Sequence, residues 1–151
     1  MNNAILNLEN EIISFKKWAD GASVTYGEWE TDYLHWDKIY SAVYGVLKHD
    51  RIDEWDAEVY ELILYILARD NECENIIQTL IEHPRALKCL AHIALMNEDY
   101  EARWQVAYAL GEIADPDNNL DELLRMFLQD KHEYVRRRAS LAIEKRILMD
   151  L

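Results

Sequence analysis

The chain has 151 residues, half of them apolar and 30% charged, with only four Gly and two Pro. That size suits one compact domain, and the scarcity of turn formers excludes collagen-like, low-complexity and β-sandwich chains, so an all-helical protein is expected. Twenty-nine Asp and Glu against sixteen Lys and Arg give a net charge of −13, which argues against nucleic acid or anionic lipid and for a basic protein partner.

Cys73 and Cys89 lack CxxC spacing and a nearby third ligand, so neither a disulfide framework nor a zinc site is expected. The N-terminus has no basic region ahead of an apolar run, and no apolar stretch approaches the roughly 20 residues that span a bilayer. The expectation is a cytoplasmic protein with reduced thiols.

In chain order, Ile5, Leu8, Ile12 and Phe15 mark one side of a first helix ending near Asp20-Gly21. A loop of about a dozen residues follows, with Gly21, Gly27 and Trp29, long enough to suggest a functional role. Thr31 or Asp32 is the expected cap of a helix running to Lys48 that buries Trp36, Ile39, Val43 and Leu47. Asp50 or Asp53 would cap the next, with a stripe of Trp55, Val59, Leu62, Ile63 and Ile66. A short helix with Ile76, Ile77, Leu80 and Ile81 stops at His83-Pro84, and Pro84 opens a helix with Leu87, Leu90, Ala91, Ala94 and Leu95. Asp99 would cap a helix with Ala102, Val106, Ala109, Leu110 and Ile113. Beyond Asp115-Pro116-Asp117 come a stripe of Leu120, Leu123, Leu124, Phe127 and Leu128 and a last helix over 132–149. That makes about eight helices with short connections, hence antiparallel neighbours.

The sixth and eighth helices superpose at an offset of 33 residues: Arg103 falls on Arg136, Val106 on Ala139, Ala109 on Ala142 and Leu110 on Ile143. The Ala-Leu-Gly-Glu-Ile-x-Asp-Pro run that starts at Ala109 and the Val135-Arg-x-x-Ala pattern resemble HEAT repeats of the phycobilisome-lyase-like type. The resemblance implies a right-handed α-solenoid spanning 1–151 as a single domain, clearest over 84–149. Residues 1–70 carry large aromatics where the family has alanines, and so form a degenerate, acidic version of the stack.

Little points to catalysis. The five histidines form no HExxH and flank no nucleophile, the glycines are scattered, and the single His132-Glu133 pair reads as a helix-start histidine beside an exposed acid. No metal or cofactor is expected. A HEAT-like lyase or metal hydroxylase is kept as the enzymatic alternative.

The negative charge is concentrated in residues 1–75, with sixteen acids and six bases, and four of the five Trp and six of the nine Tyr lie between 18 and 65. Trp36 and Trp55 are read as core. Tyr33, Asp37, Tyr40 and Tyr44 are read as one outward row on a helix, and Glu54, Glu58 and Glu61 as another; Glu28, Trp29 and Glu30 sit in the loop, with Trp29 expected at the surface. The competing reading makes the aromatics core and the acids a solvated face. Arg136-Arg137-Arg138 is read as structural, with Arg137 pairing to Glu133. Trp104 and Tyr108 form a second candidate surface, either packed on the neighbouring helix or lining a groove.

Aromatics among carboxylates suit a protein interface. The expected function is therefore a non-catalytic binding module. Its size and acidity resemble, by analogy, immunity proteins that neutralise basic nuclease toxins of contact-dependent inhibition systems. A HEAT scaffold or chaperone-like adaptor is the alternative.

Overall fold

The computed structural model describes residues 3–21, 29–49, 51–114 and 119–149, all without strands. Its helices are α1 (Asn3–Gly21), α2 (Trp29–Asp32), α3 (Trp36–Lys48), α4 (Ala57–Arg69), α5 (Asn75–Ile81), α6 (Pro84–Ala94), α7 (Tyr100–Leu110), α8 (Asn119–Phe127) and α9 (Glu133–Met149), with a 3-10 turn at Ile52–Glu54. Apart from the four-residue α2, these are the eight helices expected from sequence. None is long and apolar enough to cross a membrane.

The helices form two rows. In one, α1 meets α4, α4 meets α7, and α7 lies against α9 over the longest helix–helix contact; in the other, α3, α5, α6 and α8 follow each other. Sandwiched between α4 and α9, α7 is buried from Ala102 to Ala107 without a break, which is why its sequence shows no clear polar face.

The repeat is visible atom by atom at the turns before α7 and α9. Arg103 Nη1 donates to Asn97 O at 2.8 Å, and Arg136 Nη1 donates to Asp130 O at 2.6 Å, 33 residues on. Within each turn, Asn97 Oδ1 accepts from the Asp99 N–H and Asp130 Oδ1 from the His132 N–H. Asp99 then caps α7 by accepting from Glu101 N, as expected, while His132 Nδ1 accepts from Tyr134 N at the start of α9. Each arginine thus ties its helix to the preceding turn, giving a main-chain carbonyl of that turn a charge-assisted hydrogen bond.

Small residues set the spacing between α7 and α9. A Cβ on Gly111 would lie 2.8 Å from both Cα and Cβ of Ala142, whereas one on Gly45, inside α3, would meet nothing within 4 Å. Gly111→Ala should therefore destabilise by about 1–3 kcal/mol through overpacking, and Gly45→Ala should stabilise by roughly 0.5–1 kcal/mol through helix propensity. Urea unfolding of the two variants reads both signs.

In the N-terminal half large aromatics fill the space that alanines occupy further on. Phe15, fully buried, lies 5.0–6.2 Å from the rings of Trp18, Trp29, Tyr33, Trp36 and Tyr65. This cluster corrects several helix starts. Thr31 or Asp32 does not cap α3, which begins only at Trp36 with no side-chain cap. Instead α2 turns back, so that Tyr33 N and Trp36 Nε1 both donate to Trp29 O. Asp53 lies in the 3-10 turn and Asp50 outside the described residues; the cap of α4 is Asp56, which accepts from Val59 N at 3.2 Å. Trp55 and Ile113 are buried, but just outside the helices to which periodicity assigned them.

Candidate functional site

An open groove of about 750 Å³ lies where α1 and α4 meet the turn between α6 and α7. Tyr65 forms part of its wall, with Arg69 Cζ 3.8 Å and Lys16 Nζ 4.6 Å from the ring centre. Arg69 also reaches Asp99 at 3.5 Å. Glu58, Glu61 and Glu98 line the groove, are exposed, and make no ion pair among the described residues. Met96, 86% exposed, and Tyr100, stacked on His132 at 3.9 Å, supply apolar area beside them. Burial raises the Tyr65 phenol above its usual range against the opposing effect of Arg69, and a hydrogen bond to Glu101 raises that of Tyr100. Both phenols are neutral near pH 7, so the groove sets three carboxylates without an ion-pair partner among the described residues, together with the cations Lys16 and Arg69, next to uncharged aromatic and thioether surface.

The rows expected from sequence are rearranged. Glu54 belongs to the 3-10 turn and pairs with Arg51 at 3.4 Å, leaving Glu58 and Glu61 as the part of that row on α4. The outward row of tyrosines does not form, because Tyr33 precedes α3 and is buried in the Phe15 cluster. Tyr40 turns inward as well, its hydroxyl donating to the fully buried Asp70 carboxylate at 2.7 Å. Asp70 Oδ2 in turn accepts from Ile76 N, so this pair joins α3 to the corner between α4 and α5. Asp37 and Tyr44 remain at the surface. Trp29 is half-buried against Phe15 and Trp18, correcting its expected exposure: a large apolar ring beside an aromatic core gains more by packing than by facing water. Glu28 and the Glu30 side chain lie outside the described residues.

On the second candidate surface Trp104 is packed away, edge-on to Tyr134 at 5.2 Å with its indole N–H on Glu101, while Tyr108 stays half-buried beside a small recess. Arg137 pairs with Glu133 at 2.9 Å and Arg136 holds the turn, the structural uses expected for them. His132 serves as a cap and a stacking partner, and among the described residues no three His, Cys, Asp or Glu side chains gather as a metal would require.

Sequence reasoning missed Glu98, Met96, Tyr65 and Tyr100. The available signal was the repeat itself: α4 and α7 are neighbours in one row, so the turn entering α7 must fall beside the side of α4 that carries Glu58 and Glu61.

Helix pairs stacked in rows, tied at equivalent turns by equivalent arginines, define a helical repeat protein. The HEAT-repeat family matches residues 50–144, and the chain belongs to it. Comparison with curated proteins and with solved structures found no match. HEAT repeats generally mediate protein–protein interactions, which supports the scaffold alternative more directly than toxin neutralisation.

Proposed function

We propose that this protein is a non-catalytic scaffold or adaptor that holds a basic segment of a partner protein in the groove between α1, α4 and the α6–α7 turn. The observation that carries this reading is the set of three carboxylates, Glu58, Glu61 and Glu98, unpaired among the described residues and set around Tyr65, Tyr100 and Met96. Lysine or arginine side chains would find acceptors for charge-assisted hydrogen bonds there, and their aliphatic stems would lie on the rings and thioether. The acidic N-terminal half, with Asp37, Tyr44 and Glu54 at its surface, would steer such a partner over longer range. Neutralisation of a basic toxin is a narrower use of the same surface.

The test is fluorescence anisotropy with a labelled arginine-rich peptide on the full chain, at low and at roughly 0.5 M salt. Saturable binding should weaken about ten-fold or more in Glu58→Lys/Glu61→Lys, and similarly at high salt. Binding indifferent to both changes, or no binding at low salt, rejects the groove as the site.

A further inference from the structure

Residues 131–149 carry six basic and two acidic side chains in a chain whose overall charge is −13. Several of those cations have protein partners: Arg136 on Asp130 O, Arg137 on Glu133, Lys145 on Glu112, and Arg146 on Asp121 and Ile113 O. Arg138 is different. Its guanidinium lies 5.1 Å from the Trp104 ring centre, 5.3 Å from Tyr134 and 5.6 Å from Tyr108. Its Nε and Nη2 both donate to the Tyr134 hydroxyl, and it makes no ion pair among the described residues. The rings fix the group without cancelling its charge. Nor does the repeat demand a cation here: 33 residues earlier stands Gln105, a buried neutral side chain that donates to Leu67 O at 2.8 Å.

Beside Arg138 a recess of about 150 Å³ is lined by Tyr108, Glu112, Leu141 and Lys145. Leu141 is half exposed, and two cations face one carboxylate, so this patch is locally positive on a strongly acidic molecule.

We infer that this α7–α9 face is a second interaction surface, which takes an Asp- or Glu-bearing loop of a protein partner onto the free Nη1 edge of Arg138. A carboxylate matches the guanidinium in geometry and charge. Because three rings already hold Arg138, little side-chain freedom is lost on binding, and an arginine among Trp and Tyr has the composition of an interface hot spot. Leu141 supplies the adjacent apolar contact. The face shares no lining residue with the acidic groove, so it stands independently of the function proposed above. With both surfaces in use, the chain would bridge a basic and an acidic partner.

The probe is an acetylated hexaglutamate peptide titrated into the full chain at low salt, read by NMR at the Trp104 indole and Arg138 Nε–H signals, with hexalysine as control. Saturable shifts are expected with hexaglutamate. They should weaken about ten-fold or more in Arg138→Gln and persist in Arg137→Gln. Leu141→Glu, which leaves the arginine and its rings in place but puts a carboxylate beside them, should block the peptide too, so a folding defect in Arg138→Gln would not leave the question open. Glu58→Gln/Glu61→Gln should leave the shifts at these two signals as in wild type, which separates this surface from the groove. Absence of saturable shifts, or shifts unchanged in Arg138→Gln, overturns the proposal. Equal competition by inorganic phosphate overturns it in favour of a general anion site, and concentration-dependent self-association on sedimentation overturns it in favour of a second copy of the chain.

Discussion

Arg103→Ala is expected to destabilise the protein by about 3–5 kcal/mol, lowering the melting temperature by roughly 10 °C. The guanidinium is 3% exposed and makes paired bonds to Asp130, Nε to Oδ2 at 2.7 Å and Nη2 to Oδ1 at 3.1 Å, besides its bond to Asn97 O. Truncation leaves a carboxylate with 8% side-chain exposure and no counter-ion, and frees the turn that enters α9. Asp130→Asn should cost a similar amount, because it leaves the arginine buried opposite a neutral group.

The two carboxylate states add a pH dependence. Burial pushes the Asp130 carboxyl up, but the hydrogen bond from Arg103, that from the His132 N–H and the nearby positive charge outweigh it and hold the group below its usual 3.8. A carboxyl whose folded value lies below its unfolded one adds stability above the unfolded value and loses it as pH falls toward the folded one. Wild type should therefore lose this contribution below about pH 4, and Asp130→Asn should not. In urea titrations the stability gap between them should be widest near pH 7 and narrow by pH 3; a constant gap would show that the variant acts through packing.

The second large effect is expected at Phe15. Phe15→Ala should cost about 3–5 kcal/mol, since it removes a fully buried ring on which five other aromatic rings converge. Phe15→Leu keeps most of the volume and should cost under about 2 kcal/mol. Because Trp18, Trp29 and Trp36 all border the cavity, loss of near-ultraviolet circular dichroism in Phe15→Ala at unchanged helix content would place the damage in this cluster. A cost below 1 kcal/mol would mean that the rings close over the gap and do not form a fixed core.

How much of this was legible in the chain varies along it. From Pro84 onward, apolar spacing, capping residues and the repeated arginine located α6 to α9 closely, because each helix there packs on near neighbours through small residues and its pattern records that local packing. The cap at Asp99 and the pairing of Arg137 with Glu133 are interactions within a few residues, and they follow from sequence distance alone. In the N-terminal half the same rules misplaced helix starts and turned Tyr33 and Tyr40 outward. A tyrosine reads equally well as core or surface, and the outcome depended on distant groups, Phe15 for one and Asp70 for the other.

The candidate site lies at the far end of that scale. Acidity and the Glu58–Glu61 spacing on one helix were evident from residue order, as were the helical class and the 33-residue repeat, since all of these are local or compositional properties. That Glu98, Met96 and Tyr100 join the two glutamates, and that Trp104 and Tyr108 of α7 come to lie beside Arg138 of α9, was decided by tertiary packing. These groups come from helices and turns tens of residues apart, and only the stacking of α4, α7 and α9 side by side, driven by burial of their apolar faces, brings their exposed edges together.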